Sequence, residues 1–178
     1  RRPRWFGLLW RSGLLLPCAA PLAAQAGYAV TGRVTILEKD DKSGGDVAQA
    51  VVWLAGADAP IGSPVQVEMA TEGKQFVPRM LVLPLGSSVT FPNHDPFNHN
   101  VFSLSPEATF DMGLYGRGEA KSTTFNRPGV VRVYCNVHAQ MRGLVLVLEG
   151  SLHTQPGGDG SFRLEGVPAG DYTLHAWH

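Results

Sequence analysis

The stretch YCNVHAQM, Tyr134–Met141, brings together a thiol, an imidazole and a thioether at Cys135, His138 and Met141. A thiolate sulfur and a neutral imidazole nitrogen are metal donors, and a thioether is a soft, weak one. A spacing of three residues lets neighbouring donors converge on one atom without closing a long loop. The residues before them alternate: Val131, Val133 and Cys135 share one face of a strand, Arg132 and Tyr134 the other. The valines make the first face the core face, so Cys135 ends a strand pointing inward. The next strand, GLVLVL, begins at Gly143, and Asn136–Arg142 must therefore form a tight loop carrying His138 and Met141.

A fourth donor has to come from elsewhere, and FPNHDPFNHNVFS offers His94 and His99. His99 leads straight into the alternating strand NVFSL, whereas His94 sits in a Pro-flanked turn. Regular elements hold ligands more accurately than loops, which favours His99. Structural zinc sites take two to four cysteines, and one is present here. Calcium and magnesium select oxygen. Two imidazoles and a thiolate in a trigonal set, with a weak axial thioether, suit one copper ion: sulfur favours Cu(I) and imidazole serves Cu(II). With six His and four Met in 178 residues, chance seldom sets both at these offsets from a cysteine. The competing chemistry, Cys135 as nucleophile with His138 as base, is poorly served by so close a histidine and leaves Met141 without a role. No Ser/His/Asp set and no phosphate loop stands at believable positions, so an enzyme is not expected. His94 reads as a surface turn residue, and Met112 and Tyr115 as core and turn. His175 and His178, three apart, do not share a strand face and argue against a second metal site.

The 178 residues are 44% hydrophobic and 17% charged, as in an ordinary globular domain with part of a second. Residues 1–26 read as a secretory signal peptide: a basic RRPRWFGLLWR, a short apolar stretch, and Ala24-Gln25-Ala26 before cleavage at Gly27. The apolar run is too short to span a membrane. A lipid anchor on Cys18 is the competing reading, disfavoured by Pro17 before it. Export to the periplasm, or otherwise out of the cytoplasm, is the expected localisation, with no membrane span after cleavage. From Gly27 onward there are 11 basic and 15 acidic residues, so no basic stripe supports nucleic-acid binding. Cys135 is then the single cysteine, unusual in an exported chain unless it is buried, bridged to another chain or bound to a metal.

Short alternating or β-branched runs recur between Gly, Pro and Asn clusters, and no amphipathic helix of useful length appears. The strands expected are 28–37, 50–54, 65–69, 80–83, 88–91, 100–104, 122–125, 130–135 and 143–148, with SGGD, PNHDP, LYGRG and NRPG as turns. Asp40 and Asp41, flanked by Lys39 and Lys42, read as a solvated hairpin end. The fold class is all-β, a Greek-key β-sandwich. The division expected is signal peptide 1–26, N-terminal β-extension 27–73, copper-binding domain 74–149, and a partial C-terminal β-module 150–178 after the polar linker SLHTQPGGDG.

FPNHDPFNHNVFS followed by PGVVRVYCNVHAQMRGLVLVL resembles the cupredoxin family of type 1 blue copper proteins, over about Lys74–Leu148. The Cys-x2-His-x2-Met spacing is similar to amicyanin's short ligand loop, and the His-Asn before an apolar strand to plastocyanin's first ligand region. The resemblance implies His99, Cys135 and His138 as equatorial ligands and Met141 as axial ligand. It also implies that Asn100 hydrogen-bonds near the thiolate and ties the two ligand segments together. The N-terminal stretch AVTGRVTILEKDDKSGGDVAQAVVWLAG looks like the extension of bacterial methylamine-utilisation-protein-like chains, and GSFRLEGVPAGDYTLHAWH like carboxypeptidase-regulatory-like modules. The function implied is one-electron transfer between redox partner proteins, with His138 the ligand nearest solvent. The alternatives are a copper-storage, delivery or sensing module of a larger exported protein, or the electron-accepting domain of a multidomain oxidase. Oligomeric state is not legible.

Overall fold

A computed structural model describes residues 27–37 and 46–178. The expected signal peptide and the Lys39–Lys42 hairpin end lie outside the described residues. Among the described residues fifteen strands follow in order. The first seven are β1 (Tyr28–Arg33), β2 (Val51–Ala55), β3 (Gln66–Glu68), β4 (Ala70–Glu72), β5 (Gln75–Val77), β6 (Met80–Pro84) and β7 (Ser88–Pro92). Then come β8 (His99–Ser105), β9 (Ala108–Tyr115), β10 (Ala120–Thr124), β11 (Gly129–Tyr134) and β12 (Arg142–Leu148). The chain ends in β13 (His153–Thr154), β14 (Ser161–Val167) and β15 (Thr173–Trp177). Among the described residues the helical content is one short 3-10 turn at Val47–Gln49. No helix among them is long and apolar enough to cross a membrane.

Two sheets enclose the main core. One runs β6-β12-β11-β8-β9 and the other β10-β7-β3. The pairs β6/β12 and β3/β7 are parallel and the remaining pairs antiparallel, because the chain crosses between sheets in the Greek-key manner expected. The alternation of VVRVYC places Val131, Val133 and Cys135 in the core beside Val89, Phe91, Val101 and Phe125. The run GLVLVL does not alternate in hydropathy because β12 is buried on both faces. Val145 and Val147 join the main core, while Leu146 and Leu148 turn outward against Val51.

That outer contact belongs to a second unit. β1 pairs with β14, and β2 lies between β13 and β15. The two ends of the chain, read from sequence as an extension and a separate module, are thus hydrogen-bonded to each other. A small core of Leu54, Leu164 and Val167 lies between them. Two stretches carry strands that local sequence did not announce. Met112 and Tyr115, read as core and turn residues, do lie at the core, Tyr115 within the main cluster and Met112 packed against it, and FDMGLY around them is part of the strand β9. Its bulge at Met112–Gly113 (Gly113 φ 66°) disguises the alternation. The hairpin β4–β5 was not expected, since ATE and QFV are too short and polar to signal a strand.

A chain cut after Gly150 loses both neighbours of β2. Its Val51–Ala55 amides should then exchange at nearly unprotected rates, while amides of β11 and β12 keep their protection. Protection of β2 persisting in the cut chain would show that the two ends do not depend on each other.

Candidate metal centre

β8 and β11 are neighbours in the five-stranded sheet, and Tyr134 lies opposite Phe102. The end of β11 and the beginning of β8 therefore meet at one edge of the sandwich, which brings Cys135 and His99 together from 36 positions apart. The loop after Cys135 is closed by Met141 N–H donating to the His138 carbonyl at 2.9 Å, and this turns His138 back over the same spot. Cys135 Sγ is 3.8 Å from His99 Nδ1, and the two Nδ1 atoms of His99 and His138 are 3.2 Å apart. All three donor atoms lie within 4.8 Å of one another, the one such group of His, Cys, Asp or Glu among the described residues. Met141 is 1% exposed and packs in the same core cluster as Cys135. His94 is exposed and its side chain is outside the cluster.

Burial is uneven. His99 is fully buried and Cys135 nearly so, while His138 is half-buried. Phe97 packs against both imidazoles, with ring centroids 5.3 Å from each, and covers the pair.

His99 is held from behind. Its Nε2 is 2.8 Å from Asp95 Oδ2, and Asp95 is itself buried. The carboxylate also accepts from the backbone N–H of Gly73 at 2.8 Å and of Lys74 at 3.0 Å. Both amides point at it because Gly73 (φ 58°) and Lys74 (φ 59°) form the positive-φ turn of the β4–β5 hairpin, as two-residue hairpins require. Burial raises the Asp95 pKa, but the two amides and His99 together outweigh it and hold the carboxyl below its usual range. The charged carboxylate accepts a hydrogen bond from Nε2–H of His99, and that tautomer leaves the Nδ1 lone pair facing Cys135 and His138. The His138 pKa is lowered by burial, by His99 beside it and by Lys74, so its imidazole is neutral near pH 7 and also offers a lone pair.

Asn93 fixes the turn that carries Asp95. Its Oδ1 accepts from Thr71 Oγ1 and from Asp95 N–H, and its Nδ2 donates to the carbonyls of Phe97 and Tyr115. Sequence reasoning passed over both Asn93 and Asp95. The signal available was Asn-x-Asp four residues ahead of a strand-edge histidine. Asn100 departs from the role the resemblance implies: its Nδ2 donates to Asp111 Oδ1 at 2.7 Å and ties β8 to β9, and its Oδ1 is buried without a partner. The hydroxyl of buried Tyr115 is likewise unpartnered, and its pKa is raised by burial and by the charge of Cys135 nearby.

Metal–nitrogen bonds of about 2.0 Å and a metal–sulfur bond of about 2.3 Å span donor separations of up to about 4 Å. The measured 3.2 and 3.8 Å fall within that reach. Two imidazoles, one cysteine sulfur and a buried thioether close by fit copper.

A chloroplastic plastocyanin from Physcomitrium patens is 30% identical over 109 residues, covering 55% of this chain and 57% of that protein. The chain thus spans a little over half the length of that relative. Among solved structures, a copper-containing nitrite reductase from Thermus scotoductus is 27% identical, with a TM-score of 0.46 over 53% of this chain and 25% of that one. A purple cupredoxin from Nitrosopumilus maritimus is 26% identical, with a TM-score of 0.41 over 46% of this chain and 99% of that one. Amicyanin from Paracoccus versutus is 24% identical, with a TM-score of 0.43 over 53% and 85%. Residues 64–148 match the profile described as copper binding proteins, plastocyanin/azurin family, ten residues earlier than the resemblance read at Lys74. Through that segment the chain is similar to the plastocyanin/azurin family of copper-binding proteins.

Proposed function

We propose that the protein carries single electrons between redox partner proteins at a type 1 copper centre that His99, Cys135, His138 and Met141 would hold. The observation that carries this reading is the convergence of three lone-pair donors from two strand ends, at 3.2 and 3.8 Å, inside a packed core. When bound, copper supplies a one-electron couple between Cu(II) and Cu(I). The residues do the rest. Asp95 keeps the His99 ring in one tautomer and one orientation in either state. Phe97 and Met141 exclude water from Cys135. Sheet ends that cannot shift without breaking the core hold the donor positions, so little rearrangement accompanies the transfer. His138, half-buried, is the donor nearest the surface and the natural exit for the electron.

On this reading the protein is a carrier and not an enzyme, exported with residues 1–26 as its leader and acting in the periplasm. The copper domain corresponds to about residues 64–148. The strands β1, β2 and β13–β15 form the accompanying unit.

Titration of the apoprotein with Cu(II) should give an intense orange-red absorption with an endpoint of one ion per chain, and Cys135→Ser should lose the colour and most of the affinity. A Cys135→Ser protein that remains blue would remove the thiolate from the site. Asp95→Asn keeps the shape but not the charge, and should weaken copper binding roughly 10–100-fold while raising the reduction potential, both read by competitive titration and voltammetry. Met141→Gln should keep copper and lower the potential, since a harder axial oxygen favours Cu(II); an unchanged potential would make Met141 a packing residue only.

A further inference from the structure

The outer face of the five-stranded sheet has two halves. In the lower half Val130, Leu146 and Val82 pack under Val51 and Trp53 of the second unit. In the upper half that packing stops and a cleft of about 540 Å³ opens. Strand register sets its floor: Tyr134 lies opposite Arg142, Arg132 opposite Leu144, and Leu144 opposite Met80. Arg79 enters at the start of β6, and its carbonyl accepts from Leu144 N–H. Gln49, Gln155, Trp177 and His178 face this floor from the second unit. Around the corner a smaller pocket of about 380 Å³ shares Arg79 and Arg142 and adds Lys74 and Gln140.

Four of the 11 basic residues after position 26 therefore gather around two adjoining clefts, in a stretch that is acidic overall. Among the described residues, no Asp or Glu side chain lines either cleft and no salt bridge engages Arg79, Arg132, Arg142 or Lys74. All four are exposed. Three guanidinium groups brought together unpaired repel one another, a cost that a core contact would not require and that an anionic ligand removes. Guanidinium forks take carboxylates in bidentate pairs, and the rings of Tyr134 and Trp177 add flat apolar surface beside them.

The place of this cleft in the chain gives it a use. Tyr134 directly precedes Cys135, and Arg142 directly follows Met141. Lys74, whose ammonium lies over the Phe97 ring at 5.3 Å, extends the positive region to the cover of the two imidazoles. We propose that an acidic segment of the partner protein docks in the Arg79–Arg132–Arg142 cleft, against the loop that carries the proposed ligands. The inference rests on the carrier reading for the identity of the partner, but the binding itself needs no copper. Charge attraction of this kind speeds encounter and weakens with salt.

The test uses the isotopically labelled apoprotein and the copper-loaded protein, each titrated with a hexaglutamate peptide at low salt and followed by amide and indole resonances. Shifts should concentrate at Arg132, Tyr134, Arg142, Leu144 and Trp177, appear equally in both forms, and vanish in 0.5 M salt, where the Debye length is only about 4–5 Å. Arg132→Glu with Arg142→Glu should weaken the peptide at least tenfold and leave copper uptake unchanged. Arg132→Gln with Arg142→Gln should weaken it less, and serves if the reversed pair does not fold. Shifts that lie elsewhere, survive in the variants, or are matched by inorganic phosphate at equal concentration would overturn the acidic-segment site. Loss of copper binding with peptide binding intact would instead count against the carrier reading alone.

Discussion

The fully buried ring of His99 depends on a carboxylate that is itself buried, and Asp95 can stay charged there only because backbone amides meet it. Moving a carboxylate out of water costs several kcal/mol unless its oxygens are paired. Here the two oxygens receive Gly73 N–H, Lys74 N–H and the Nε2 side of His99. Each partner constrains a different piece of chain: the β4–β5 hairpin, the turn after β7, and the first residue of β8. None can move independently of the others, and Asn93 adds Thr71, Phe97 and Tyr115 to the same lattice. The orientation of the His99 Nδ1 lone pair is thus set by hydrogen bonds that begin more than twenty residues upstream.

The second constraint is a sheet buried on both faces. With Val145 and Val147 in the main core and Leu146 and Leu148 under Val51, β12 cannot slip by one residue without turning leucines into the core and valines out of it. Its register fixes that of β11, and β11 delivers Cys135. A close approach tightens the same end: a Cβ at Gly143 would come within 3.1–3.2 Å of Met69 and Phe76. The second unit, far from the donors, therefore contributes to their placement through the leucine face of one strand.

Much of this was legible in the sequence where the physics is local. Alternation in VVRVYC, the shortness of the loop to Gly143, and the contrast between a histidine at a strand edge and one in a turn are all nearest-neighbour properties. The structure brings His99, Cys135 and His138 together and leaves His94 exposed. What was not legible is long-range or disguised. Asp95 looks like a turn residue because the amides that make it a buried anion lie in a hairpin too short to announce itself. β9 hides behind its bulge and Gly113. The pairing of β1 with β14 joins residues more than a hundred positions apart, and no local pattern encodes it. The role given to Asn100 fails for a further reason: the resemblance supplies a residue type at a position, whereas its partner depends on Asp111, which sits across β9 in this chain.

These constraints also bear on charge in the two oxidation states. With copper held as proposed, a divalent ion, the Cys135 thiolate and the Asp95 carboxylate sum to zero, and the neutral imidazoles add nothing. After reduction the same set carries one net negative charge in a medium that screens it poorly. Asp95 therefore favours the oxidised ion, and stabilisation of the reduced one must come from outside the core. Lys74, above Phe97, is placed to do so, and it lowers the His138 pKa through the same field. Lys74 is fixed at positive φ in the turn whose amide binds Asp95. One residue thus supplies a backbone N–H to the buried anion and a side-chain cation over the ring that covers the imidazole pair. With copper held as proposed, the position of that single turn would bear on the balance between the two oxidation states.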